Sequence, residues 1–166
     1  MPWFVPETAG TFTAPDFQLT ASDGQPVTRS QFRQKKHLVL VFLPDPEMPN
    51  SQPLINALAA AHDELAQASA AVYLISAHEP ADPLPLPLLI DPEGAVRQVY
   101  AALFHAALFH AALAPVSAAP ADHDSFLVIL NRYGVLEFAG RDLDNTASVT
   151  EDVVTRVWGL EYQCSL

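Results

Sequence analysis

Residues 37–65, HLVLVFLPDPEMPNSQPLINALAAAHDEL, leave the chain little choice of fold. Residues 38–43 are an unbroken apolar run rich in Leu and Val. A strand covered on both faces reads this way, as in a parallel or mixed sheet flanked by helices, and its place is the centre of the sheet. The prolines at 44, 46 and 49 cannot extend a hydrogen-bonded ladder, so a rigid loop follows. Asn50 or Ser51 is then placed to cap a helix that carries Pro53 in its first turn. From Leu54 onward Leu58, Ala61, Leu65 and Ala68 recur at helical spacing, with Asp63, Glu64 and Gln67 between them. The unit is strand, tight loop, helix N-terminus.

In α/β folds a loop of this kind is a usual seat of chemistry, because free N–H groups and the helix dipole stabilise negative charge there. A cysteine at such a place is activated as its thiolate. This loop carries no Cys, Lys or Arg, and carries Asp45 and Glu47 instead.

Half of the 166 residues are apolar, enough for one domain with a full core. A net charge of −11 with eight Lys and Arg denies the cationic face that nucleic acid or an anionic membrane requires, so neither is expected as a partner. Cys164 is the one cysteine, so no intrachain disulfide can form. Residues 1–10 lack a basic start followed by an apolar run, and no apolar run reaches spanning length; a cytoplasmic protein is expected.

Along the chain, residues 1–13 read as an extended, Pro-rich arm with Trp3, Phe4 and Phe12 as packing anchors. Phe17 to Leu19, the Asp23-Gly24 turn and Val27 predict a hairpin, and Thr28 or Ser30 caps a short turn carrying Phe32. Residues 71–76 are a second buried strand, parallel to the first because a helix makes the crossover. A Pro-rich loop leads to the short apolar run 88–90, and Asp91-Pro92-Glu93 reads as a helix start with Val96, Val99, Tyr100 and Leu103 as its buried stripe. Residues 101–113 read AALFHAALFHAAL. Five residues advance a helix by about 140°, so the repeat spreads apolar groups around the axis and puts His105 and His110 on different sides, not at the i,i+4 spacing of a metal pair. Such a helix has to be buried or lie in an interface. Pro115 and Pro120 end it, and residues 101–124 as a whole form the repeat and a Pro-rich loop. Residues 125–130 are a third buried strand, residues 131–134 a turn and 135–138 the returning antiparallel strand. Thr150 is placed to cap a last helix burying Val153, Val154, Val157 and Trp158, with Gly159 as its stop and 160–166 as a tail. These elements make an α/β sandwich of thioredoxin type, with a central mixed sheet and an N-terminal β-hairpin.

Four segments then resemble the peroxiredoxins, the alkyl hydroperoxide reductase and thiol-specific antioxidant family of the thioredoxin superfamily. They are APDFQL at 14–19 with Asp23-Gly24, VLVFLP at 39–44, PLLIDPEG at 87–94 and VILNRYG at 128–134. The strand at Phe126 lacks the preceding proline that a thioredoxin carries in cis. The resemblance implies a peroxidatic cysteine after the central strand, preceded by a proline and a threonine. Pro44 matches the proline, Met48 stands at the threonine and Ser51 at the cysteine. The arginine that polarises the peroxide would precede Phe126, where Ser125 stands, or His123 in a register slipped by two.

Serine cannot replace the thiol, because peroxide cleavage needs a soft nucleophile that is oxidised reversibly. Acyl transfer through Ser51 needs a base, and His78 is the one histidine the order of elements brings to that edge. A metal site would need Asp122, His123 and Asp124 to meet His78 and Glu79. Against these stand plainer readings: Ser51 as a helix cap, the acids and histidines as solvated loops, and Cys164 as a spectator thiol. The expected protein is a degenerate peroxiredoxin-like binding or scaffold protein. It needs no cofactor and no metal, pairs as a homodimer and binds a protein or small-molecule ligand. The alternative is an antioxidant thiol oxidoreductase with residual activity through Cys164.

Overall fold

The structure, a computed structural model, describes residues 3–4, 12–110 and 119–166. Its strands are β1 (Trp3–Phe4), β2 (Gln18–Ala21), β3 (Pro26–Thr28), β4 (His37–Phe42), β5 (Ala70–Ser76), β6 (Leu88–Ile90), β7 (Phe126–Leu130) and β8 (Leu136–Arg141). Among the described residues they form one sheet in the order β1-β8-β7-β4-β5-β6-β2-β3. The expected central strand, β4, is fully buried; it runs parallel to β5 from His37↔Ala70 to Phe42↔Ile75 and antiparallel to β7 on its other side. The run 88–90 becomes a strand because β5 offers it a parallel edge. The hairpin β2–β3 then extends the sheet antiparallel to β6, its turn made at Gly24 with φ +86°.

Alternation along β4 and β7 divides the core into two layers. Leu38, Leu40 and Phe42 join Phe126, Val128 and Leu130 on one face, covered by the hairpin and by Tyr100 and Phe104 of α3 (Ala95–His110). Val39, Val41 and Leu43 join Leu127 and Ile129 on the other, covered by α1 (Ser51–Ala60), α2 (His62–Gln67) and α4 (Thr146–Cys164) through Leu54, Leu58, Leu65, Val153 and Val157. The expected thioredoxin-like sandwich is the fold observed.

Several boundaries differ from expectation. The helix after the loop is two helices, because Ala61 (φ −89°, ψ 1°) departs from helical geometry and redirects the chain so that Leu65 still reaches the core. α3 begins at Ala95, beyond Gly94 (φ +68°), and Asp91 accepts from the N–H groups of Val96 (3.4 Å) and Arg97 (2.9 Å). Val99 is exposed, whereas Tyr100, Phe104 and Ala107 form the buried stripe and His105 faces out. The sequence repeat therefore does not bury its helix all round over the described side chains. Leu113 and the stop at Pro115 lie outside the described residues, as do the side chains of Trp3, Phe4 and His110. Phe12 packs on the first core layer as expected of an anchor.

The last helix departs most. It is capped by Asn145, which accepts from the N–H of Ser148 at 3.3 Å, and not by Thr150, whose hydroxyl donates to the carbonyl of Thr146 at 2.8 Å. It also runs through Gly159 to Cys164, so residues 160–164 are helix and not tail. A mid-helix glycine costs about 1 kcal/mol relative to alanine. Buried Leu160 and Glu161, which is bonded to Arg132 and His37, oppose that cost.

Candidate functional site

The carboxyl end of β4 opens into two clefts that share Leu43. The first, about 160 Å³, is lined by Asn50, Ser51, His123, Ser125 and Arg141 among others. Two of the four positions singled out by the family pattern, Ser51 and Ser125, meet there. Pro44 lines the neighbouring cleft, and Met48 stands 40 % exposed on the loop.

Ser51 does not act as a helix cap. It is the first residue of α1, 3 % exposed, and its hydroxyl donates back to the carbonyl of Asp45 at 2.9 Å. Asn50, at the capping position, makes no side-chain bond to the helix. The Pro loop is closed from the helix side: Gln52 Nε2 donates to the carbonyl of Pro46 (2.7 Å), and Asp45 Oδ1 accepts from the N–H of Glu47 (2.8 Å). A hydroxyl has one proton to donate, and here it is used within the loop. Replacing Ser51 by Ala is expected to cost about 0.5–1.5 kcal/mol, the worth of one ordinary hydrogen bond. Urea denaturation at constant m-value measures this, and an unchanged midpoint would show that the bond does not hold the loop.

Ser125 and His123 reach the cleft because Arg97 of α3 fixes the loop that precedes β7. Its guanidinium lies 5.2 Å from the Phe126 ring centroid and donates to the carbonyls of Ala121 (2.6 Å) and Asp124. Burial lowers the Arg97 pKa from its ordinary value, and Asp122, Asp124 and Asp91 oppose that shift. His123 is exposed, with Nε2 3.7 Å from Asp124 Oδ1.

Arg141 is the site residue that sequence reading missed. No arginine stands before Phe126, but the antiparallel register pairs Phe126 with Arg141, so the last residue of β8 brings a guanidinium to the same cleft. The returning strand itself was legible. Its register is what carries Arg141, at its far end, back beside the start of β7.

The second cleft, about 260 Å³, is lined by Pro44, Ser76, His78, Asp91, Arg97 and Asp122 among others. Buried Ser76 donates to the carbonyl of Pro44 (3.4 Å) and accepts from the N–H of His78 (3.2 Å). The conceivable Ser51 and His78 pair is therefore split between two clefts. So is the conceivable metal cluster: His78 and Asp122 line one cleft, His123 and Asp124 the other, and Glu79 faces a third hollow beside the Pro-rich loop. Among the described residues no three His, Cys, Asp or Glu side chains gather to hold a metal ion.

Cys164 is exposed on the final turn of α4. One turn earlier Glu161 touches His37, the first residue of β4, whereas Ser51 follows that strand's last residue. Six residues of strand span about 20 Å, so the thiol lies at the opposite end of the sheet from the cleft.

Sheet order, covering helices and a loop–helix cleft at the carboxyl end of the central strand define a thioredoxin-superfamily protein of peroxiredoxin type. Residues 12–121 match the AhpC/TSA family, and the chain belongs to it. Among solved structures it is similar to Plasmodium yoelii thioredoxin peroxidase I, with a TM-score of 0.70 at 19 % identity over 98 % of this chain and 92 % of that one. It is also similar to the bacterioferritin comigratory protein of Xanthomonas campestris (TM-score 0.68, 16 % identity, 95 % and 99 % covered). Peroxidoxin BcpB of Mycobacterium tuberculosis matches at a TM-score of 0.61 and 18 % identity, with 90 % and 98 % covered. At these identities the likeness is one of fold. No curated protein sequence matches the chain. Among the described residues no helix is long and apolar enough to cross a membrane.

Proposed function

We propose that this chain is a peroxiredoxin-family protein that keeps the fold without the peroxidase chemistry, and acts by binding a protein or small polar ligand. The observation that carries this reading is Ser51: at the position that this reading assigns to the family's nucleophile stands a buried hydroxyl whose one proton is already given to Asp45. The sole thiol, at the opposite end of the sheet, cannot substitute for it in the cleft. Peroxide consumption by the purified chain tests the reading directly. The second reading, a residual thiol oxidoreductase, is favoured by the exposure of Cys164, and the Cys164→Ser variant separates the two.

A cytoplasmic setting and a homodimer belong to the same proposal. β1 already pairs with β8 through Trp3↔Gly140 and Phe4↔Ala139, so the dimer contact falls on the short β3 edge or on loop surfaces. At tens of micromolar, light scattering is expected to give twice the 18.0 kDa chain mass. A monomer mass would sink the dimer and leave the rest of the reading untouched.

A further inference from the structure

The end of the sheet opposite the clefts holds a charged cluster that plays no part in the proposed site. His37 is fully buried at the start of β4. Its Nε2 lies 3.2 Å from Glu161 Oε2, 124 residues away, and the same carboxylate oxygen takes a hydrogen bond from Arg132 in the β7–β8 turn. Nδ1 is buried and has no hydrogen-bond partner among the described residues. We propose that His37, Glu161 and Arg132 form an acid-released latch that holds the last turn of α4 against the N-terminal end of β4.

The buried ring has no favourable place for a second proton. A carboxylate only accepts, so the neutral ring must carry its hydrogen on Nε2 and donate it to Glu161, leaving Nδ1 as a bare lone pair. Acid can charge the ring only by adding an N–H at Nδ1, which is buried and has no acceptor among the described residues. Burial accordingly lowers the His37 pKa; the bond and charge of Glu161 pull it up, and Arg132 pulls it down again. Among the described residues no other charge acts on the ring: beside it β5 begins with Ala70, and the carbonyl of Ser69 accepts from the His37 N–H at 2.8 Å. The proton is bound when the last turn of α4 lifts and admits water. Linkage gives the sign. Below the ordinary histidine value of about 6.5 the released state binds more protons, so the latch weakens as pH falls, by at most tenfold per pH unit for one proton. Glu161 titrates lower still: burial alone would raise its pKa, but the bond from His37 and the charge of Arg132 prevail and hold it below its ordinary value.

Trp158, half-buried on α4 with its ring 5.8 Å from that of Tyr162, reports on this turn. With Trp3→Phe it becomes the only indole of the full chain. Titrated from pH 8 to pH 5, its emission is expected to shift to the red in a one-proton step centred below about 6.5, while the far-ultraviolet signal of the sheet stays constant. His37→Gln keeps a donor toward Glu161 without a titratable ring, and is expected to abolish the step. Flat emission down to pH 5, an unchanged step in His37→Gln, or a step that coincides with loss of the sheet signal would each overturn the latch. If His37→Gln does not fold, long-range proton–nitrogen spectra of the imidazoles in the parent chain decide. The expected result is a His37 ring protonated at Nε2 at pH 7.5 and titrating with the Trp158 step. A ring protonated at Nδ1, or one that titrates without that step, refutes it.

Discussion

Mixed with hydrogen peroxide or an organic hydroperoxide and a thioredoxin or dithiol reductant, the purified chain is expected to consume peroxide no faster than a small thiol at equal concentration. Peroxide reduction needs a thiolate sulfur to attack one oxygen and become a sulfenic acid while the other oxygen leaves as an alkoxide or hydroxide. The cleft is lined by Ser51, the residue proposed for the nucleophile position, and a hydroxyl oxygen does not enter that sequence of oxidation states. Cys164 could enter it, but it is exposed at the opposite end of the sheet from the cleft. It ends a helix, where unpaired carbonyls rather than N–H groups face outward, and each missing oxyanion donor is worth about 10²–10³ in rate. Cys164→Ser is therefore expected to leave the measured rate at background. Turnover well above the small-thiol control that disappears in Cys164→Ser would refute the non-catalytic reading. The complementary variant combines Ser51→Cys, Met48→Thr and Ser125→Arg, and is expected to gain measurable peroxide reactivity in a cleft that already holds Arg141. An inert thiol at position 51 would mean that the family's nucleophile position has been placed wrongly.

Phe126→Ala is expected to destabilise the chain by about 3–5 kcal/mol, the range for truncating a fully buried aromatic ring. Its ring stacks on Phe42 at 4.6 Å with an 8° interplanar angle and meets the edge of Phe104 at 5.7 Å. Arg97 covers it from α3, so the loss reaches beyond the cavity itself. The same guanidinium anchors the carbonyls of Ala121 and Asp124, hence the loop that aims His123 and Ser125 at the cleft. Guanidinium denaturation reads the loss. A value under about 1.5 kcal/mol, typical of a volume-conserving swap, would show that neighbouring side chains close the gap and that this ring is not central.

The parts of the fold legible in the sequence are those whose cause is local. The apolar runs at 38–43 and 126–130 read as buried strands because a strand covered on both faces leaves no polar alternation. Residues 88–90 were too short to declare themselves, and became a strand only because β5 offered an edge. Gly159 read as a stop by propensity, yet α4 continues because a carboxylate two residues on meets a histidine 124 positions earlier, a contact that no local pattern encodes. The site divides the same way. That the strand–loop–helix junction carries Ser51 and no thiol could be read from residues 44–51, whereas the bond of Ser51 depends on how three prolines fold the loop beneath it. Arg141 entered the site through strand register, which becomes visible once β7 and β8 are paired.

The two short pairings made by the N-terminal arm have a practical side. Trp3 and Phe4 lie along β8 at Gly140 and Ala139, and Thr13 bridges Val135 at the strand's other end. A bare sheet edge is a template on which other chains can add strands. The arm therefore works as a guard against aggregation, and a shortened chain beginning at residue 12, where the family match starts, would keep the whole α/β core and lose the strand that keeps that edge to itself.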